Sequence, residues 1–222
     1  MKIGIVYTGT SPELMDSVET ELRNAMRDDL EFVIFKDVSI INEVSVAKDV
    51  FPAPAARLVK LYTDAIAADV DVIYNCCSSV GEVADNMQDF AKYIGVPIIR
   101  IDEEMCLEAA RNAKKIGVMA TLSSTLEPTK RTIQRKAREI NKRVELLDCV
   151  VDVFGLEPEV LKKNLVEAGT KIKDHVDIIV LAQGSMAFCE QAIHEACGIP
   201  VYSSPRFGAS ALKSALQSKG VL

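Results

Sequence analysis

The residue best placed for chemistry is Cys77. It ends the apolar run that starts at Asp71, and it precedes Ser78, Ser79 and Glu82. The Ser79-x-x-Glu82 spacing is that of a capping box, which makes Ser79 the expected N-cap of a helix. A thiol at such a helix start is expected to ionise early, because unpaired N–H groups and the macrodipole favour its thiolate. The same N–H groups, with the Ser78 and Ser79 hydroxyls, suit a carboxylate ligand. Cys76 faces the opposite side of the strand by alternation and is expected in the core. Three other turns have the same character. Thr8, Thr10 and Ser11 form one, Thr121, Ser123, Ser124 and Thr125 the second, and Gln183, Gly184 and Ser185 the third. Capping accounts for one hydroxyl per turn, as at Ser11 before Pro12 in the first helical position. The excess reads as donors for an anionic ligand.

The remaining candidates exclude more than they add. The six cysteines (76, 77, 106, 149, 189 and 197) contain no C-x-x-C pair, and a disulfide framework is not expected. His175 and His194 are the only histidines and lack ligand spacing toward any cysteine, so no metal site is expected. His194 reads as a helix-surface residue, Cys189 as core, and the Lys130–Arg138 charge run as a solvated helix face. Neither G-x-G-x-x-G nor G-x-x-x-x-G-K-[ST] occurs, which speaks against dinucleotide or P-loop phosphate binding. A net charge of −6 without a basic tract argues against a nucleic-acid partner. No apolar run approaches the roughly 18 residues of a membrane helix. The chain opens directly on an apolar strand, so a signal peptide is not expected and a cytoplasmic location is. Chemistry is left to a thiol, hydroxyls, carboxylates or a bound cofactor.

The elements that must position these turns are legible from periodicity. Lys2–Tyr7, Glu31–Phe35, Asp71–Cys76, Pro97–Ile101, Ile116–Ala120, Val144–Asp148, Asp177–Ala182 and Pro200–Ser203 read as strands. Helical periodicity is expected over Pro12–Arg27, Pro54–Ala68, Val80–Tyr93, Glu103–Asn112, Pro128–Asn141, Pro158–Ala168, Met186–Ala196 and Ala209–Ser218. Strands this apolar, separated by helices, predict an α/β fold with parallel sheets covered on both faces. The order of elements also repeats. Lys2–Ser11 aligns without gaps on Lys115–Ser124, Asp71–Ser79 on Asp177–Ser185, and Gly95-Val-Pro97 on Gly198-Ile-Pro200. Two Rossmann-like lobes with pseudo-twofold symmetry follow, one of residues 1–101 plus about 206–222, the other of 102–205. Ligands of open α/β sheets sit beyond the carboxyl ends of the strands, so all four turns should meet in one interlobe cleft.

The patterns Asp71-x5-Cys77-Ser78-Ser79, Asp177-x5-Gln183-Gly184-Ser185-Met186 and Gly117–Thr121 resemble the aspartate/glutamate/hydantoin racemase superfamily, over nearly the whole chain. The resemblance implies cofactor-independent chemistry in which one cysteine of each lobe faces a carbon acid, one thiolate removing the α-proton and the other thiol returning one. Maleate isomerases and arylmalonate decarboxylases are relatives. Cys77 matches the first-lobe cysteine, whereas Gln183 occupies the second-lobe position and cannot transfer a proton. The first turn also lacks the Asp or Asn often found there, and the decarboxylases keep the opposite cysteine. The expected activity is therefore that of an isomerase or racemase acting on a small carboxylate through the Cys77 thiolate. Ser78, Ser79, Ser124 and Thr125 are its expected enolate donors, and Gln183 is expected to hold a substrate oxygen. Addition of Cys77 to an activated double bond, with cis–trans isomerisation, uses the same groups. A decarboxylase or lyase, or a non-catalytic small-carboxylate-binding protein, remains open. By the same resemblance a homodimer is expected.

Overall fold

The computed structural model describes residues 1–26, 30–151 and 156–222. All eight expected strands are present, paired in two parallel four-stranded sheets. In chain order the elements are β1 (Lys2–Tyr7), α1 (Pro12–Met26), β2 (Glu31–Lys36), α2 (Val38–Ala47), α3 (Pro52–Ala67) and β3 (Val72–Asn75), then α4 (Gly81–Asn86), α5 (Gln88–Ile94), β4 (Ile98–Arg100) and α6 (Glu103–Asn112). There follow β5 (Lys115–Ala120), α7 (Ser123–Glu139), β6 (Glu145–Val150), α8 (Pro158–Ile172), β7 (Ile178–Leu181), α9 (Glu190–Cys197), β8 (Val201–Tyr202) and α10 (Ser204–Ser218). The sheet orders, β2-β1-β3-β4 and β6-β5-β7-β8, superimpose element for element.

The duplication extends to individual hydrogen bonds. Asp71 accepts from the Lys2 amide at 2.8 Å and donates its own amide to the Lys2 carbonyl at 2.8 Å. Asp177 does the same with Lys115, at 2.8 Å and 2.8 Å. Cys76 N–H bonds the Val6 carbonyl at 3.0 Å, and Ala182 N–H the Met119 carbonyl at 2.9 Å. Gly95 and Gly198 close their helices at φ 72° and 70°, a region glycine enters without a Cβ penalty. The core is built from both faces of each sheet. Helix α10 returns to the first sheet, where Ala209, Leu212 and Leu216 pack with Ile3, Ile5 and Tyr74. Helix α6 packs Met105, Cys106 and Ala109 onto Ile116, Val118 and Ile178 of the second. Truncating a fully buried leucine such as Leu212 to alanine costs about 2–5 kcal/mol.

Several helix boundaries differ from the sequence expectation. The expected Val80–Tyr93 helix is a 3₁₀ turn over Ser78–Val80 followed by α4 and α5, which break at Met87. Ser79 lies inside the turn, its hydroxyl buried and unpartnered, so it caps nothing; Glu82 reaches Arg131 instead. The expected start at Pro128 is also displaced. Helix α7 begins at Ser123 and passes through Pro128, with Leu122 in the capping position. Thr125 directs its amide and hydroxyl back to the Leu122 carbonyl at 3.2 Å and 2.8 Å, which starts the helix one turn early. Likewise, Gly184–Cys189 is 3₁₀ and only then becomes α9, while α10 starts at Ser204 with Pro205 next. Helix α2 was not expected, because its β-branched composition hides it. Asp37 caps it, accepting from the Ser39 amide at 3.0 Å and hydroxyl at 2.6 Å. The Arg27 end of the first expected helix lies outside the described residues. Among the described residues, no helix is long and apolar enough to cross a membrane.

Candidate active site

The four turns meet. A cleft of about 160 Å³ between the carboxyl ends of the two sheets is lined by Thr8–Ser11, Cys76–Ser79, Leu122, Thr125 and Ala182–Ser185, with Leu14 and Ile41 as further apolar walls. Of the candidate residues, Cys77, Thr8, Thr10, Ser11, Ser78, Ser79, Thr125, Gln183, Gly184 and Ser185 all stand on its wall. Thr121 and Ser124 do not. Thr121 contributes from behind, through Gln183, and the Ser124 hydroxyl is buried without a partner.

Parallel geometry explains why these residues converge. Both sheets direct the carboxyl ends of their inner strands toward the cleft, and Cys77 and Gln183 each lie two residues past an inner strand, β3 and β7. Their backbones are extended and alike, φ/ψ −138°/113° at Cys77 and −120°/134° at Gln183, and each opens a 3₁₀ turn. The two positions are structural counterparts, occupied by a thiol and an amide.

Around the thiol, burial and hydrogen bonding oppose each other. Cys77 is partly buried, while the other five cysteines are buried. Burial pushes the Cys77 thiol up, outweighing the lowering effect of the Thr8 hydroxyl and the Val80 and Ser79 amides. The buried Asp102 carboxylate adds to the rise. This corrects the expectation of an early-ionising thiol, since removing the sulfur from water costs the anion more than a single 3₁₀ turn returns. Cys76 is buried in the first-lobe core, as expected, and its thiol is pushed up further still. Two polar groups in the wall lack partners. The Thr8 and Ser79 hydroxyls are buried (0 % and 3 % exposed) and bond to no other protein group of ordinary geometry. Buried hydroxyls of this kind are uncommon, and each leaves bonding capacity that a ligand or water can complete. Thr125, by contrast, has committed its proton to Leu122 and is not a free donor.

Gln183 is held from two sides. Its Oε1 accepts from the Thr121 amide at 2.7 Å, and its Nε2 donates to the Thr121 hydroxyl at 2.7 Å. One Nε2 hydrogen and one Oε1 lone pair remain. Periodicity could not find the buried polar residues behind the cleft. Asn75, fully buried at the end of β3, donates to the Cys77 carbonyl at 3.1 Å and accepts from the Tyr62 hydroxyl at 3.1 Å. Arg100, 2 % exposed, bonds Asp102 in bidentate fashion at 3.0 Å and 2.8 Å, Asp85 at 2.6 Å and Thr132 at 3.0 Å. The signal was present in the sequence as one polar residue inside each of two otherwise apolar strands.

Other readings are settled by position. His194 is exposed on α9, with its Nδ1 2.8 Å from the Ile199 carbonyl, and Cys189 is core. The Lys130–Arg138 run is only partly a solvated face. Arg131 and Arg135 pair with Glu82 and Asp85 of the first lobe at 2.7 Å and 3.2 Å, which makes it a seam between lobes. Among the described residues no three His, Cys, Asp or Glu side chains gather as metal ligands.

Comparisons with known proteins agree with this architecture. A glutamate racemase of Bacillus anthracis is similar at 17% identity and a TM-score of 0.74, over 99% of this chain and 83% of that one. An allantoin racemase of Klebsiella pneumoniae gives 15% and 0.65, over 100% and 89%. A glutamate racemase of Francisella tularensis, in complex with D-glutamate, gives 15% and 0.67, over 100% and 82%. No curated protein matches the chain. The Asp/Glu/hydantoin racemase family model matches residues 3–212. With two matching parallel lobes and nearly every residue covered, the chain belongs to the Asp/Glu/hydantoin racemase family.

Proposed function

We propose that the protein is a cofactor-independent isomerase of the racemase type, acting on a small carboxylate with Cys77 as its one thiol acid/base. The observation that carries this reading is the pairing of counterparts. Cys77 and Gln183 occupy equivalent positions on one cleft, and Gln183 is immobilised by Thr121. Family membership supports chemistry at a carbon acid, and a similar fold in Francisella tularensis binds D-glutamate.

In this reading the Cys77 thiolate removes a proton from the carbon next to the carboxylate. The electron pair moves into the carboxylate, and the enolate is stabilised by hydrogen bonds that strengthen as charge develops. The unpartnered Ser79 hydroxyl is a donor on that side, while the Thr8 hydroxyl serves the Cys77 sulfur. The remaining Nε2 hydrogen of Gln183 meets a substrate oxygen from the other lobe. An amide carries no transferable proton at neutral pH, so a proton reaching the Gln183 face comes from water, whereas one returned by Cys77 arrives on the face it left. Because burial holds the thiol above its ordinary range, the thiolate fraction, and with it the rate, rises with pH through the neutral and mildly alkaline range.

The test is incubation in D2O with small amino acids, hydantoins, malonates and maleate, followed by proton NMR. Deuterium at carbon with the native chain, and its loss in Cys77→Ala, is the expected result. Exchange that survives Cys77→Ala overturns the assignment. Release of carbon dioxide from malonates would move the same enolate to a lyase. A panel that binds without exchange or isomerisation would make the chain a carboxylate-binding protein.

A further inference from the structure

Among the described residues Arg100 is the largest side chain that is almost wholly buried, and the chemistry proposed above makes no direct use of it. It ends β4, opposite Asn75 in the β3–β4 register. Its guanidinium lies flat against Gly81, where a Cβ would meet Cζ and Nη2 at 2.4 Å. Gly81 directly follows the Ser78–Val80 turn, whose Ser79 and Val80 amides face the Cys77 sulfur. Only glycine leaves room for that plane under the turn. On its other sides the guanidinium holds Asp102 (1 % exposed), Asp85, and Thr132 on α7 of the second lobe. One buried cation thus supports the Cys77 turn, pairs with the two carboxylates beside it and ties both to the opposite lobe.

We infer that Arg100 is a positioning residue for Cys77, holding the thiol-bearing turn through Gly81 and screening the thiol from the buried Asp102 carboxylate. The inference deepens the reading of Cys77 as acid/base and rests on it for its catalytic meaning. The titratable groups coupled by charge to Cys77 are Asp102, Tyr62 and, from the opposite face of the strand, Cys76. Asp102 opposes the thiolate, and the bidentate Arg100 pair limits that opposition. A lysine, with one point charge and no plane, cannot both lie under Gly81 and grip a carboxylate twice.

The test is the pH profile of Cys77 alkylation by iodoacetamide, read by mass spectrometry on the full chain between pH 6.5 and 10. Arg100→Gln is expected to label Cys77 about tenfold more slowly at a fixed pH below the thiol midpoint, equivalent to about one pKa unit. Asp102→Asn is expected to label it faster, and the double variant to return toward the native profile. A purely structural role for Arg100 would not give opposite signs with mutual rescue. A folded Arg100→Gln with the native profile, or a double variant no better than Arg100→Gln, overturns the inference. Should Arg100→Gln fail to fold, Asp102→Asn and Gly81→Ala decide, with faster and slower labelling expected and native profiles in both contradicting it. Labelling does not depend on turnover. A shifted profile alongside full activity of Cys77→Ala would leave Arg100 as the support of the thiol and remove the reading of Cys77 as acid/base.

Discussion

The two lobes present the same backbone to the cleft and different chemistry. After β3 the chain places Cys77, with the Thr8 hydroxyl beside it and no other partner for that hydroxyl. After β7 it places Gln183, with Thr121, the counterpart of Thr8, bonded to it twice. The first side has a titratable group next to an unpartnered Ser79 hydroxyl; the second has a neutral amide held at both its polar atoms by Thr121, with one hydrogen and one lone pair left over. Bonds made before the ligand arrives hold a side chain still, and polar groups left unpaired are available to the ligand. Duplication has therefore kept the geometry while the side chains differ, and in the reading proposed above that difference divides the labour, with proton transfer on one face and hydrogen bonding on the other.

The largest effect that would break this comparison is at the thiol. Cys77→Ala is expected to lower exchange or isomerisation by about 10²–10⁴, the usual contribution of a positioned acid/base, measured as initial rates on the best substrate of the panel. The Gln183→Cys variant sharpens it by making the lobes chemically equal. A gain of inversion at carbon, followed by polarimetry, is expected because a second thiol then faces the first. Thr121→Val tests the fixed amide. It leaves the buried Gln183 Nε2 without its acceptor, so urea unfolding should show a loss of about 1–3 kcal/mol. Alkaline pH acts on stability through the thiols. Burial raises Cys76, Cys77 and Cys106 above the ordinary thiol pKa. Their folded-state preference for the proton gives full stability below about pH 8, which is lost as pH rises past the unfolded value of about 8.5, as a melting series from pH 7 to 10 should show. The smallest effect is Thr8→Val, which removes a hydroxyl that favours the thiolate and should slow Cys77 alkylation by less than tenfold.

Most of the fold was legible because buried parallel strands leave a strong apolar signature and their order repeats. The meeting of the turns was legible for the same reason, since it follows from the carboxyl ends of parallel strands and needs no side-chain detail. What escaped was local or long-range. Helix α2 is dominated by β-branched and Ser/Asn residues and is held by the Asp37 cap and by burial of Ile40 and Val44. The Ser79-x-x-Glu82 pattern promised a capping box, but Glu82 found Arg131 of the other lobe, an interaction between residues far apart in the chain. The sign of the Cys77 pKa depended on how much of the sulfur is desolvated, which spacing does not report. Arg100 and Asn75 were visible as polar residues in apolar strands, yet their partners, Asp85, Thr132 and Tyr62, become neighbours only through tertiary structure.

The central claim is that proton transfer at carbon is carried by one thiol on one face. It is tested most directly by measuring, on one enantiomer of a chiral carbon acid in D2O, the rate of deuterium entry against the rate of inversion. With Cys77 as sole thiol acid/base, deuterium should enter with retention faster than the enantiomer inverts, and both should collapse in Cys77→Ala. Inversion as fast as exchange in the native chain, or exchange undiminished in Cys77→Ala, would contradict the account.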